Sequence, residues 1–293
     1  MVGVANQSRV ENDAFVALAQ HFRGIGLPVP EIHAYKPDYG VYLEEDLGET
    51  TLLDFLNAER VRTGETFPAS VEAMYAKVLT YLPRFQIEAA TKLDFSLCVS
   101  ANNFFSETLR NDMISFSSEL VGRLLPTYDT KPLTKDFDAL VSYLEQAKSE
   151  YFLYRDFQSR NIMLVNGEPV FIDFQSGLKG PLQYDVISLL YQSSAQIPDE
   201  HRESLVELYL KEVSNYAQCD RDEFFRYYPA FIVSRMLQVL GVYGRQGLGA
   251  KKEYFTRSIP AALKTLDRHL RSPLIAIKLD GLLACSETLL KSA

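Results

Sequence analysis

The sequence predicts an α+β protein in which a small, partly β N-terminal piece joins a large helical body that carries one hairpin. Three features predict it: two short strand candidates near the start, apolar residues at three-and-four spacing through most of the chain after Leu52, and an Asn166-Gly167 pair between two apolar stretches.

The elements follow in order. From Val10 to about Arg23, Phe15, Leu18, Ala19 and Phe22 line one face of a helix that Gly24 and Gly26 close. Strands are expected at Glu31 to Tyr35 and Val41 to Glu44, separated by the turn residues Lys36-Pro37-Asp38-Tyr39-Gly40. Met1 to Ala5 reads as the tail of a further strand. Helical stripes then take over, one through Val71, Met74, Tyr75, Val78, Leu79 and Leu82, and another through Leu109, Met113, Phe116, Leu120 and Leu124. A third stripe, Phe137, Leu140, Val141 and Leu144, is expected to start at Thr134 as N-cap with Asp136 in its first turn. Beyond the hairpin the chain reads as helical to its end, with a Gly-rich break from Gly241 to Gly249 and a proline near the start of each of two later helices, Pro260 and Pro273. The expected boundary divides residues 1–45, a partial small lobe, from residues 46–293, the helical body.

With 293 residues, 47% of them apolar, the chain has material for a substantial core. A formal net charge of −8 and the lack of a Lys/Arg cluster argue against a nucleic-acid partner, whose binding is driven by counterion release from phosphates. Cys98, Cys219 and Cys285 have no metal-type spacing and read as reduced core thiols. No window approaches the roughly 18 uninterrupted apolar residues of a membrane span, and no cationic, apolar leader opens the sequence, so no membrane partner and a cytoplasmic location are expected.

Chemistry concentrates in Tyr154-Arg155-Asp156-Phe157-Gln158-Ser159-Arg160-Asn161, followed by the hairpin and Phe171-Ile172-Asp173-Phe174. With Asn166 and Gly167 as the turn, Val165 faces Glu168, Met163 faces Val170 and Asn161 faces Ile172, which brings Asn161 and Asp173 to the open end together. Strict alternation sends their side chains to opposite faces, so the arrangement requires a bulge or a chain that leaves the ladder at Asp173. A carboxylate with an amide oxygen suits Mg²⁺, which keeps positions for water and phosphate, and suits zinc poorly. Asp156, in the loop before Asn161, is then placed to accept a hydroxyl proton. Each of these residues alone fits a turn or cap; the compound pattern is what points to a site.

That segment resembles the catalytic loop and metal-binding Asp of the protein-kinase-like superfamily, in its aminoglycoside phosphotransferase and choline kinase branch. Gly26-Leu27-Pro28-Val29-Pro30, Tyr42-Leu43-Glu44-Glu45-Asp46-Leu47-Gly48, Ile172-Asp173-Phe174-Gln175 and Gly180-Pro181-x-x-Tyr184-Asp185 are similar in style to bacterial N-acetylmuramate and N-acetylglucosamine kinases. The resemblance, from Glu11 to about Leu270, implies a bilobal kinase-like fold with a truncated small lobe, using ATP and Mg²⁺. It implies Asp156 as base, Gln158 directed at the transferred group, Asn161 and Asp173 on the metal, and the backbone of Glu44, Glu45 and Asp46 at the adenine. It makes Arg155 and Asp185 supports of the loop, Asp185 serving equally well as a cap for Val186 to Tyr191. Glu11 matches the Glu that pairs with a phosphate-binding Lys in kinases, or is a solvated residue favoured by the helix dipole.

The family's glycine-rich turn and phosphate-gripping Lys are not found before Glu11, and the first Lys is Lys36. The expectation is a sequence that starts inside the small lobe, with further residues completing the nucleotide pocket. Tyr154 stands where relatives carry His, and Gln175 where they carry Gly. Eleven residues between Asp173 and Asp185 leave no room for an activation segment, so the acceptor is expected to be a small hydroxylated molecule, first an amino sugar or cell-wall sugar. An aminoglycoside kinase and a catalytically silent scaffold are the alternatives. Phe104, Phe105, Asp112 and Tyr243 are candidates for a sugar site, or for core and surface.

Overall fold

The protein is described by a computed structural model covering residues 1–99 and 105–292. In chain order it runs β1 (Val2–Ala5), α1 (Arg9–Gly24), β2 (Ile32–Lys36), β3 (Val41–Glu44), α2 (Leu52–Thr63) and α3 (Ala69–Pro83). There follow α4 (Phe105–Ser115), α5 (Gly122–Leu124), α6 (Lys131–Leu144), β4 (Tyr151–Leu153), β5 (Ile162–Val165), β6 (Glu168–Phe171) and β7 (Leu178–Gly180). The chain continues with α7 (Leu182–Leu190), α8 (Asp199–Val213), α9 (Arg221–Tyr243), α10 (Glu253–Leu270) and α11 (Asp280–Ser292). It forms two compact units, one of Met1–Asn102 with Glu150–Cys219, the other of Asn103–Ser149 with Asp220–Ala293.

In the first unit β3 is the central strand of an antiparallel sheet of order β1-β3-β2, with Val2 opposite Glu44 and Ala5 opposite Val41 on one side. The turn into β3 needs Gly40, whose φ is 62° and whose added Cβ would lie 2.7 Å from the carbonyl oxygen of Asn6. Helix α1 starts where Ser8 accepts a hydrogen bond from the Glu11 amide, and the apolar face read from its sequence is buried: Phe15, Leu18, Ala19 and Phe22. Phe22 packs edge-on against Phe85, Phe152 and Phe174, with ring centroids 5.0, 5.3 and 5.2 Å away. This aromatic cluster is the floor beneath the hairpin β5–β6.

The hairpin is held from two further directions. Thr51 caps α2 in a reciprocal box with Asp54, and Leu164 of β5 donates to the carbonyl of Thr50 at 2.9 Å. Phe171 of β6 donates to the carbonyl of Pro28 at 2.8 Å, so the Gly26 to Pro30 segment holds the hairpin rather than merely ending α1.

Several expectations are corrected. The chain is not purely helical outside one hairpin: β4 and β7 pair antiparallel, Tyr151 opposite Gly180, forming a second short sheet. Strands of three residues give too short a period to read, and β7 contains Gly180, against which Leu153 packs so closely that a Cβ would stand 2.8 Å from its Cβ. Helix α6 begins at Lys131 rather than after Thr134, because Pro132 suits the first turn and Asp129 accepts from the Lys131 amide at 3.1 Å. Asp136 instead serves another helix, accepting from the Leu282 amide of α11 at 2.8 Å. Pro260 lies inside α10, and Pro273 lies well before α11 rather than near its start. Gly241 is helical and lets α9 approach the backbone of Phe116, where a Cβ would come within 2.9 Å of the amide nitrogen. The chain then widens into a π turn over Gly244–Gly249. Cys98 and Cys285 are buried and Cys219 is half-buried; none of the three is in a disulfide.

Candidate active site

The hairpin register follows turn chemistry. Asn166 and Gly167 both take positive φ, 52° and 80°, as a two-residue I′ turn requires, and Val165 pairs with Glu168, Met163 with Val170. One step beyond the last strand pair, the Ile172 amide donates to the Asn161 carbonyl at 3.1 Å. The chain then leaves the ladder at Asp173, whose φ of 68° is left-handed. That conformation costs a non-glycine residue on the order of 1–2 kcal/mol. It also lets Phe174 turn into the aromatic floor, fully buried and stacked on Phe15 with centroids 5.0 Å apart; such burial returns about 1.5–3 kcal/mol.

The result brings both side chains together. Asn161 donates through Nδ2 to Asp173 Oδ2 at 3.0 Å and to the carbonyl oxygen of Asp156 at 2.9 Å. Asp156 Oδ1 accepts from Gln158 Nε2 at 3.2 Å, and Asp173 Oδ1 accepts from Gln175 Nε2 at 2.8 Å. Each carboxylate is thus held by amide donors, which orient it without neutralising it. Burial raises the pKa of Asp173 and the charge of Asp156 adds to this, while Gln175, Arg160 and Asn161 pull the other way.

The loop that carries Asp156 is anchored from below. Arg155 has φ 74°, a second left-handed position. The amides of Tyr154 and Arg155 donate to the two carboxylate oxygens of Asp185, at 2.8 and 2.9 Å. Asp185 is fully buried in the first turn of α7, whose N-cap position is Pro181 rather than Asp185. Gln86 adds a third donor to Asp185 at 3.2 Å, and its own Oε1 accepts from the Tyr209 hydroxyl at 2.6 Å. On the far side of the loop, Ser159 donates through N and Oγ to Gln192 Oε1, at 3.1 and 2.7 Å. Tyr154, standing where the resemblance expects His, donates its hydroxyl to the Ile172 carbonyl at 2.6 Å and so ties the loop to the strand before Asp173. Burial, with the charges of Asp173, Asp185 and Asp156, keeps its phenol protonated.

The remaining expected positions lie at the end of β3, in the segment after it, and in the first turn of α1. Glu44 ends β3 half-buried, its carboxyl raised by burial. Tyr42, two residues earlier on the same face, has its pKa raised to about 12 by burial and by the charges of Glu44 and Asp173. Tyr42 opens a segment that carries the family resemblance, but no sequence pattern placed it beside Asp173. Glu45 donates through N to the Glu31 carbonyl at 2.9 Å, and Asp46 Oδ1 accepts from the Gly48 amide at 3.0 Å. Glu11 is exposed in the first turn of α1 and accepts from Asn6 Nδ2 at 3.1 Å. Of the sugar-site candidates, Phe104 lies outside the described residues, Phe105 packs against Phe231, and Tyr243 is buried against Phe255.

The donor set is of hard oxygens: the Asp173 carboxylate and the Asn161 amide oxygen. Among the described residues no group of three or more His, Cys, Asp and Glu is gathered to hold a metal. The pair fits Mg²⁺, which is usually bound through one or two carboxylates with water and phosphate completing its shell. A buried amide oxygen of Gln175, without a hydrogen-bond partner among the described residues, adds to that fit.

A loop with an Asp and an Asn, followed by a hairpin and an Asp, on this arrangement of helix and sheet, defines a protein-kinase-like fold. The solved structure of an amicoumacin kinase in complex with AMP-PNP, Ca²⁺ and Ami superposes with a TM-score of 0.63 at 14% identity, covering 94% of this chain and 82% of that one. Choline kinase from Streptococcus pneumoniae gives 0.57 at 12% identity, covering 91% and 85%. Residues 4–221 match the phosphotransferase enzyme family, and the chain belongs to it. It is 28% identical over 266 residues to an N-acetylmuramate/N-acetylglucosamine kinase of Neisseria meningitidis serogroup B, covering 86% of this chain and 75% of that protein. A kinase of the same name from Pseudomonas aeruginosa is 29% identical over 240 residues, covering 79% of this chain and 65% of the relative.

Proposed function

We propose that this chain transfers the γ-phosphoryl group of ATP to a hydroxyl of a small amino sugar of the N-acetylmuramate or N-acetylglucosamine type. The observation that carries the reading is the hydrogen-bonded set Asp156, Asn161 and Asp173 at the open end of the hairpin. The names of the relatives supply the substrate class.

In this reading Asp156 accepts the proton of the acceptor hydroxyl as its oxygen bonds to the γ-phosphorus; the bond to the β-phosphate oxygen breaks and ADP leaves. Gln158, donating to Asp156, fixes the orientation of that carboxylate and stands beside the transferred group. Asp173 and Asn161 would hold Mg²⁺, which neutralises phosphate charge. Arg155 and Asp185 keep the loop in its left-handed turn. The backbone from Glu44, the last residue of β3, to Asp46 would receive the adenine, and Glu11 in the first turn of α1 would stand on the nucleotide side. Cytoplasmic residence belongs to the same reading, since ATP use and three free thiols both suit a reducing compartment. No helix among the described residues is long and apolar enough to cross a membrane.

The test is ATP-dependent phosphorylation of a panel of amino sugars, cell-wall sugars and aminoglycosides, followed by ³¹P NMR of the product. Asp156→Asn is expected to lower kcat by about 10²–10⁴-fold with the fold intact. Turnover that survives this change removes Asp156 from the chemistry, and failure to phosphorylate any sugar favours an aminoglycoside kinase or a silent binding protein.

A further inference from the structure

We infer that Gln175 is a positioning residue of the cation site, an inference that rests on the assignment of Asp173 and Asn161 to Mg²⁺. Gln175 stands where the Asp-Phe-Gly of protein kinases has Gly, and unlike Gly it brings a side chain that reaches Asp173. Its Nε2 donates to Asp173 Oδ1 at 2.8 Å while Asn161 Nδ2 donates to Oδ2 at 3.0 Å. With one amide on each oxygen, the carboxylate cannot turn about its own axis without breaking a hydrogen bond. That restraint matters because the backbone of Asp173 is left-handed at φ 68°, and the strand ladder no longer dictates where the side chain points.

Gln175 is itself fixed. Its carbonyl accepts from the Val99 amide at 3.2 Å, and Phe174 beside it is fully buried. Its Oε1 is buried with no hydrogen-bond partner among the described residues, and a stranded amide oxygen is costly unless something meets it. A divalent ion on Asp173 brings coordinated water, whose protons are strong donors for an amide oxygen alongside. Gln175 therefore has two tasks: its N–H₂ group orients the carboxylate of Asp173, and its oxygen would accept a hydrogen bond from a water of the ion's hydration shell. Both depend on the amide and neither on the volume of the side chain.

Mn²⁺ binding at saturating ADP, followed by electron paramagnetic resonance, separates the possibilities. Gln175→Met keeps the length and loses both polar functions; Gln175→Leu is the second variant should that one fail to fold. The expected result is Mn²⁺ affinity lowered about 10–100-fold, the range for partners of metal ligands, with kcat largely recovered at saturating Mg²⁺ and KM for the sugar unchanged. Asp173→Asn reports on the underlying site. If Asp173→Asn abolishes binding while Gln175→Met binds as the wild type does, Gln175 is only packing and the inference is overturned. If Asp173→Asn binds normally, the cation site itself is misplaced and the inference falls with it.

Discussion

Replacing Asp185 by Asn tests how the loop that carries Asp156 is held. The carboxylate receives Tyr154 N at 2.8 Å, Arg155 N at 2.9 Å and Gln86 Nε2 at 3.2 Å, and it is wholly buried, so water cannot substitute. Asn turns one acceptor into a donor that faces donors. Whichever oxygen is replaced, the new N–H₂ group faces a backbone N–H, that of Tyr154 or that of Arg155, which cannot turn away even if Gln86 reverses its amide. Losing a charge-assisted hydrogen bond costs about 1.5–3 kcal/mol and stranding a buried donor about 1–3 kcal/mol, so a loss of about 3–5 kcal/mol is expected in urea unfolding. Part of it falls on the loop. Arg155 at φ 74° stays left-handed only while Asp185 holds its amide, and a displacement worth about 3 kcal/mol in the transition state lowers kcat roughly 10²-fold. Sugar phosphorylation is measured at a temperature where the variant is fully folded by circular dichroism, with KM for ATP as internal control. A variant with wild-type kcat, destabilised or not, would refute the claim that this carboxylate sets the loop.

Two further expectations follow from local geometry. Gly167→Ala should cost about 1–2 kcal/mol in urea unfolding, a backbone cost alone, because φ is 80° while an added Cβ meets nothing within 4 Å; a much larger loss would mean the turn is packed. Burial pushes the Cys98 thiol up to about 12, with Asp94 contributing, and the Cys285 thiol up to about 11, so disulfide-exchange labelling of the folded protein at pH 8 should report one thiol, Cys219, and three after denaturation. Because both folded values lie above the ordinary 9.0, the stability these thiols contribute is complete below about pH 9 and is lost as pH rises through 11 to 12; stability rising over that window would contradict the burial.

Much of the site was legible because its signals are local. Asn166-Gly167 dictates a two-residue turn, the turn dictates the register, and the register brings Asn161 beside Asp173. The spacing of Phe15, Leu18, Ala19 and Phe22 likewise dictates which face of α1 is buried. The need for the chain to leave its ladder at Asp173 followed from the period of two; only the coordinates show that a left-handed residue, and not a bulge, provides it. Asp129 and Pro132 carried a start signal for α6 that Thr134 obscured, since both are common at helix starts.

The amino-acid sequence by itself thus determined most of the helices, the hairpin and the oxygen-bearing side chains at its mouth, since propensity, turn chemistry and periodicity act over a few residues. Only the tertiary structure decided that Tyr42 shares the field of Asp173, that β4 pairs with β7, and that the loop at Asp156 is held by Asp185, Gln86 and Tyr209. Those partners lie 31, 99 and 123 residues apart along the chain, and such hydrogen bonds form only when packing of the apolar faces carries the two groups into a place from which water is excluded.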